Sequence, residues 1–562
     1  MKYLFLSTFL SIAVFLTHAQ SWNTAGNAGT NPSIHFIGTT DAASLNFKVN
    51  NSRSGFLSAT NSNTSFGFLA LSSVTIGNYN TAAGYKALQN TTTGASNAAF
   101  GYNSLSANTS GFANTAAGDY SLRSNTVGNN NVGTGLFALN SNISGSNNVA
   151  VGTHSLRFNK TGFSNVGIGF SALYQNENGS NLVALGDSAL FKCASCFGNT
   201  AVGSKSLYAN TIGMHNTGVG FQVLQSNSTG SYNIALGKQA LHQNTTGGNN
   251  ISIGKNAMRD ANIANNNIAL GEEAGLIGGT SNVIAGNFAM SFGVASNCIA
   301  IGTKALQRTS GTFNIGIGEE SLKGNDGGFR NVGVGYKTLY SSESAAYNTA
   351  IGSEAGLNIG NSDRCTLLGN SADLSYSGIP LTNAAAIGNG AVVTVSNKIR
   401  IGNSAVTVIE GNVAYTTSDA RFKQDIQTTV PGIDFIKQLK PVTYRYKAFE
   451  LDKFLLGQNK DRLTSLNSAD YSAAETIVHA GFLAQDVDSL LHKHGYNINI
   501  VHKPSSDNDN YSLAYTELIA PVVKAMQEQQ LMIELLSEEI RQLKIKVTAC
   551  SLPVVINTNK VE

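Results

Sequence analysis

Residues 148–164 read NVAVGTHSLRFNKTGFS and residues 165–181 read NVGIGFSALYQNENGSN, two copies of one pattern laid end to end. In each copy an Asn opens a short apolar run, a Gly closes it, and a Leu follows four residues later. Glycines stand at 84, 101, 118, 135, 152, 169, 186, 203, 220, 237, 254 and 271, each 17 residues after the last. The register then slips slightly, through Gly286, Gly302, Gly318, Gly335, Gly352, Gly369, Gly388 and Gly402. Self-similarity at a short fixed period marks a solenoid, because one copy cannot bury its apolar face alone and a stack of copies can.

The alternation within each copy predicts a short strand. Aliphatic residues sit one and three positions before the Gly, as in Val166 and Ile168, Ile251 and Ile253, Ile315 and Ile317. A period of two places them on one face, and they are expected to form an inward rung. The residue between them is nearly always small, as in Ala82, Ala150, Gly167 and Ala235, so something approaches closely there, either the next sheet or a neighbouring subunit. Leu88, Leu105, Leu122, Leu139 and Leu156 form a second inward rung. Asn and Gly between the rungs supply turns and left-handed backbone positions, and the Asn rows are expected to satisfy hydrogen bonds at the corners. A turn of 17 residues holds two short strands and two corners. Roughly twenty such turns at about 4.8 Å each predict a shaft of about 100 Å.

Composition agrees with this reading. The chain has 562 residues with 59 Gly, and only 12% are charged, about half the usual share. A hydrophobic content of 42% is enough for a core and excludes wholesale disorder. A net charge of +3, dispersed along the chain, argues against a nucleic-acid partner. Met1-Lys2 followed by the apolar run Tyr3 to Leu16 and the small residue Ala19 reads as a cleaved export signal over 1–19. No later stretch is apolar for long enough to span a bilayer, so the mature chain is expected to be secreted or held at the cell surface. Cys193 and Cys196 form a lone CxxC, read as a local disulfide or a pair of packed thiols. No turn repeats a His, carboxylate or Cys cluster, and no metal or other cofactor is expected.

The repeats resemble the head domains of trimeric autotransporter adhesins and the shafts of tail-fibre-like proteins, over roughly residues 70 to 410. The resemblance implies a mainly β fold, a left-handed-type parallel β-solenoid, with three chains side by side. The family's usual period is shorter than the one here.

From Gly411 the glycine rungs stop. The remaining residues carry 34 of the chain's 69 charges, and helical patterns appear, which marks a domain boundary. The expected organisation is a signal peptide at 1–19, an N-terminal cap or region of unassigned role at 20–70, the solenoid at 71–410, an α+β domain at 411–513 and a terminal helix at 514–549. In that helix Ile519, Met526, Ile533, Ile540 and Val547 recur every seven residues, with Val522, Gln529, Leu536 and Leu543 between them. Four heptads of this kind predict a coiled coil, and the spacing leaves the number of strands open.

Three segments carry a second resemblance. Thr417-Ser418-Asp419-Ala420-Arg421-Phe422-Lys423 is similar to the S-D-x-R-x-K signature of the S74 peptidase family, the intramolecular chaperone domain of phage tailspikes and endosialidases. Gly481-Phe482-Leu483-Ala484-Gln485 resembles its G-F-x-A-Q block, and Tyr515 to Gln530 its closing helix. The resemblance implies a homotrimer and a Ser/Lys dyad that cuts its own chain once. Carried over, Ser418 is the nucleophile, Lys423 the base, and Thr417–Ser418 the scissile bond, with Asp419, Arg421 and Gln485 in support. A lysine serves as base only if its environment lowers its pKa from about 10.4. Arg421 could contribute to that, or simply brace the loop or an acid.

The function these readings predict is an exported adhesin or tail-fibre-like protein whose C-terminal domain templates trimer assembly and then cuts itself off. A cell-surface glycan or protein is the receptor class expected for the shaft. The alternative is a structural or binding fibre that never cleaves and keeps its C-terminal domain as a trimerisation clamp.

Overall fold

The computed structural model describes residues 26, 28–375, 378–410, 418–457, 463–464 and 466–550. The expected export signal at 1–19, Trp22 and Thr417 lie outside the described residues. The chain divides into two compact units, Met1–Asn199 and Thr200–Glu562.

The first unit opens on an antiparallel hairpin. Leu45–Val49 pairs with Ser52–Leu57, and both turn residues, Asn50 and Asn51, have positive φ, as a two-residue hairpin turn of this hand requires. Ser52–Leu57 then pairs antiparallel with Thr64–Phe66, covering the first edge of the stack. From Thr64–Phe66 onward the pairing is parallel and in step with the repeat: Thr64↔Thr81, Val149↔Val166, Val166↔Val183. One strand of three residues per 17-residue turn is thus laid directly on its copy in the next turn, the architecture of a parallel β-solenoid.

The second unit carries the same coil from Thr200–Val202 to Ile399–Ile401. Its pairing spacing shortens where the glycine register slips: Leu270 pairs with Ala285 and Ala285 with Ile301. Beyond it, residues from 418 form helices and two small two-stranded antiparallel sheets, with the helices Ile433–Ile436, Ala448–Leu456, Ser472–Thr476, Ala484–Lys493 and Ile519–Cys550. Their core is Phe435, Val487, Leu491, Ile500 and Leu518.

The direction of the strand side chains differs from the sequence expectation. In Val149–Val151 and Val166–Ile168 the small central residue is buried and the two aliphatics face outward. The close approach comes from the same coil. A Cβ on Gly167 would lie 2.8 Å from Ser155 Oγ and 3.3 Å from Leu156, so only a Gly or other small residue fits between the strand and the opposite wall. The interior is filled by that small column, the Leu column and two columns of Asn. Leu88, Leu105, Leu122, Leu139 and Leu156 are fully buried, as expected, although each adopts a positive φ near 50°. Left-handed backbone at a leucine costs about 1–2 kcal/mol, offset by a burial worth about 1.5–3 kcal/mol per side chain.

The Asn columns run inside the coil. Asn114 accepts from the backbone N–H of Asn131 at 3.0 Å and from its Nδ2 at 3.1 Å, while Asn131 Nδ2 also donates to the Gly145 carbonyl. A second column links Asn125, Asn142 and Asn159 through Nδ2–Oδ1 bonds of 2.7 and 2.8 Å. These ladders satisfy the corner backbone groups that a narrow coil would otherwise bury unpaired. Cys193 and Cys196 are joined by a disulfide.

Candidate functional site

The site is built from a tight turn. Asp419 accepts from the Arg421 backbone N–H at 2.9 Å and caps a single 3-10 turn over Ala420–Phe422. The turn closes through Lys423 N–H to the Ala420 carbonyl, which folds Lys423 back over the start of the segment. Lys423 Nζ consequently lies 2.9 Å from Ser418 Oγ. The structure therefore brings Ser418 and Lys423 into direct hydrogen-bond contact.

Arg421 is turned the other way. Its guanidinium grips Asp419, with Nη2 donating to Oδ2 at 2.6 Å and Nε to the same carboxylate. The Arg421 side chain and its backbone N–H hold the Asp419 carboxyl below its ordinary value, and Asp419 raises Arg421 in turn. Of the two roles open to Arg421 in the sequence, the geometry is that of a brace on an acid. Ser418 and Lys423 are exposed in the single chain, and so are the neighbouring apolar side chains Phe422 and Ile426, at 77% and 72%.

The other two blocks are joined to each other. Gly481 ends the strand His479–Gly481, which pairs antiparallel with Val442–Tyr444. The Phe482 backbone N–H donates to the Tyr515 hydroxyl at 3.1 Å, and a Cβ on Gly481 would stand 2.2 Å from that hydroxyl. The glycine of one block is thus shaped by the tyrosine of the next. His479 packs among Tyr444 and Tyr446, a structural setting. Gln485 sits exposed in the first turn of Ala484–Lys493, where its carbonyl accepts from Ser489. Among the described residues no hydrogen bond joins it to Ser418 or Lys423.

The long helix Ile519–Cys550 docks through Pro521 and Ala525, its buried residues. Its predicted seam faces away: Ile519, Val522, Met526, Ile533, Leu536, Ile540 and Leu543 are all exposed in the single chain. Glu528 was not singled out in the sequence as a contact, yet its Oε2 accepts from Ile433 N–H at 2.7 Å. It caps the short helix Ile433–Ile436 from 95 residues away. No pattern signals such a pairing, because a long-range cap leaves no periodicity.

Residues 418–496 match the family model described as the chaperone of endosialidase, peptidase S74. The match begins at Ser418 itself. No curated protein matches the chain. The parallel β-solenoid thus precedes a segment that matches the S74 chaperone model. No helix among the described residues is long and apolar enough to cross a membrane.

Proposed function

We propose that the chain is an exported fibre whose C-terminal domain assembles three copies, aligns their solenoids, and then severs itself between Thr417 and Ser418. The observation that carries the reading is the 2.9 Å contact between Ser418 Oγ and Lys423 Nζ at the first residue of the chaperone match. In the step proposed, neutral Lys423 takes the Ser418 hydroxyl proton as Oγ attacks the Thr417 carbonyl carbon. The tetrahedral species collapses with loss of the C–N bond, and Lys423 returns the proton to the departing nitrogen. Water then hydrolyses the resulting ester, leaving a carboxylate on Thr417 and a free amine on Ser418.

Exposure supplies the timing. A lysine in open water is protonated at neutral pH and cannot act as a base, and burial favours its neutral form. Ser418, Lys423, Phe422 and Ile426 are uncovered in one chain. Packing of neighbouring chains against this apolar surround would desolvate the lysine, so cleavage follows assembly. The open seam of the long helix supports association through that helix. Non-local β pairing is slow and prone to aggregation, and a trimer formed first by the C-terminal domain removes part of that obstacle. Export is supported by the leader pattern at 1–19 and by the Cys193–Cys196 disulfide, which suits an oxidising compartment. The shaft would present its sides to a glycan or protein at a cell surface.

The test is the intact mass of the wild type beside Ser418→Ala and Lys423→Ala. The expected result is two fragments split at 417/418 in the wild type and a single full-length chain in both variants. Full-length protein in all three would overturn the peptidase reading and leave the domain as a permanent trimer clamp.

A further inference from the structure

Two inward columns run through most turns of the coil, an Asn four residues before the Gly and a small residue two before it, and the exceptions before the last turn, such as Leu182, Cys298, Ile284 and Leu367, are all uncharged. The last turn puts a cation in both. Lys398 stands in the Asn column and Arg400 in the small column, between Ile399 and Ile401. Each cation meets a carboxylate from beyond residue 418. Lys398 Nζ donates to Asp509 Oδ1 at 3.0 Å, and Thr394 Oγ1 donates to the same oxygen at 2.9 Å. Arg400 Nη2 lies 3.5 Å from Asp452 Oδ1, which also accepts from Ser404 Oγ at 2.6 Å.

These carboxylates are deeply enclosed. The Asp509 side chain is 0% exposed, and it accepts further bonds from His502 and the Ser505 N–H. Burial alone would raise its carboxyl, but the bonds from Lys398, His502, Thr394 and Ser505 hold it far below the ordinary range. Burial depresses Arg400, and Asp452 opposes that shift. Apolar contacts surround the pairs. Leu455 and Leu456 of the helix Ala448–Leu456 pack on Val392 of the last turns, and Ala448 and Tyr471 pack with Ala405.

We propose that the C-terminal domain stays docked on the last turn after the chain is cut, a noncovalent cap held by Lys398–Asp509 and Arg400–Asp452. This rests on the cleavage reading above. Cutting the bond before Ser418 removes a tether, and with it the high effective concentration of the two surfaces. It removes none of these contacts. Separation would strip two enclosed carboxylates of their cations and uncover Leu455, Leu456 and Val392. Cleavage and release are therefore separate events, and the cap leaves only when something competes for the last turn.

The experiment uses the full chain carrying Ser418→Ala, with residues 411–416 replaced by the recognition sequence of an added site-specific protease. Its outcome does not depend on self-cleavage. After cutting, the C-terminal fragment is expected to co-elute with the shaft on size exclusion in physiological salt. Hydrogen exchange over 392–406 is expected to stay as slow as in the uncut chain, a measurement that needs no interface variant. Adding Asp452→Asn and Asp509→Asn is expected to weaken retention by about tenfold or more. Departure of the fragment on cutting overturns the proposal, as does equal retention in the double variant.

Discussion

Asp509 lies 111 residues beyond Lys398, yet its fully buried carboxylate accepts from the Lys398 ammonium at 3.0 Å. Removing the charge in Asp509→Asn leaves that ammonium enclosed without its counter-ion, at a cost of about 3 kcal/mol. The sign of the pH effect follows from the carboxyl's depressed folded value. Its stabilisation is fully present above the ordinary carboxylate value of 3.8 and fades as acid protonates the unfolded chain below it. Urea denaturation of the C-terminal unit is expected to show the full difference at pH 7 and a narrowing one from about pH 4 downward. A variant as stable as wild type at pH 7, or a gap that widens in acid, would contradict the assignment.

Leu536 sits on the open seam of the long helix, 57% exposed in the single chain. If that seam joins three chains, Leu536→Asp puts a carboxylate in each of three facing positions, where burial of an unpaired charge is prohibitive. Light scattering is expected to fall from the mass of three chains to that of one. Self-cleavage is expected to fall with it by about tenfold or more, because an exposed lysine is held protonated. Unimpaired cleavage by a monomeric variant would detach catalysis from assembly.

Gly118 has a φ of +134°, and a Cβ there would stand 2.6 Å from the carbonyl oxygen of Gly135 in the next turn. Gly118→Ala must therefore push two turns apart as well as strain its own backbone, a loss of about 3 kcal/mol or more. Gly360 is the comparison site, in the left-handed helical region at φ +53° with nothing within 4 Å of an added Cβ. Gly360→Ala is expected to cost only the left-handed backbone term of about 1 kcal/mol. Comparing urea midpoints for the two substitutions separates stacking from conformational freedom. Similar losses at the two sites would show that turn-on-turn contact is not what demands Gly.

The period, the Gly rungs and the Leu column were all legible in the sequence, because stacking forces each turn to repeat the same contacts. The outward direction of Val149 and Val151 was not. Alternation tells which residues share a face, and says nothing of which face is enclosed. The small residue Ala150 held the answer, since its column faces the Leu of the opposite wall, and the larger Ile284 and Leu367 stand there only where Gly275 and Gly356 take that Leu's place. The pairing of Ser418 with Lys423 was expected from the resemblance of their segment to the S74 signature, since six residues of local sequence alone would not single it out. Lys398 and Arg400 were not singled out in the sequence, and their partners Asp509 and Asp452 are remote in sequence and belong to a different kind of structure. Glu528 is the same case at the cap of Ile433–Ile436.

Asn131 gives the most local test of the coil. Its Oδ1 accepts from both the backbone N–H and the Nδ2 of Asn148, at 3.0 and 3.1 Å. Its own Nδ2 donates to the Gly145 carbonyl at 2.9 Å. All of these groups are buried where water cannot replace the lost partner, so Asn131→Ala orphans a backbone donor and weakens a backbone acceptor together. At about 1–3 kcal/mol for each unsatisfied buried group, the expected loss is about 3 kcal/mol. The change should be concentrated at the next turn, because each turn of a solenoid contacts chiefly its neighbours. Hydrogen exchange is therefore expected to accelerate at the Asn148 amide by about a hundredfold, in line with that free energy. Amides several turns away should keep their protection. An Asn148 amide as slow in Asn131→Ala as in wild type would mean that the ladder does not hold the corner. Acceleration spread evenly along the unit would mean instead that the turns unfold as one block.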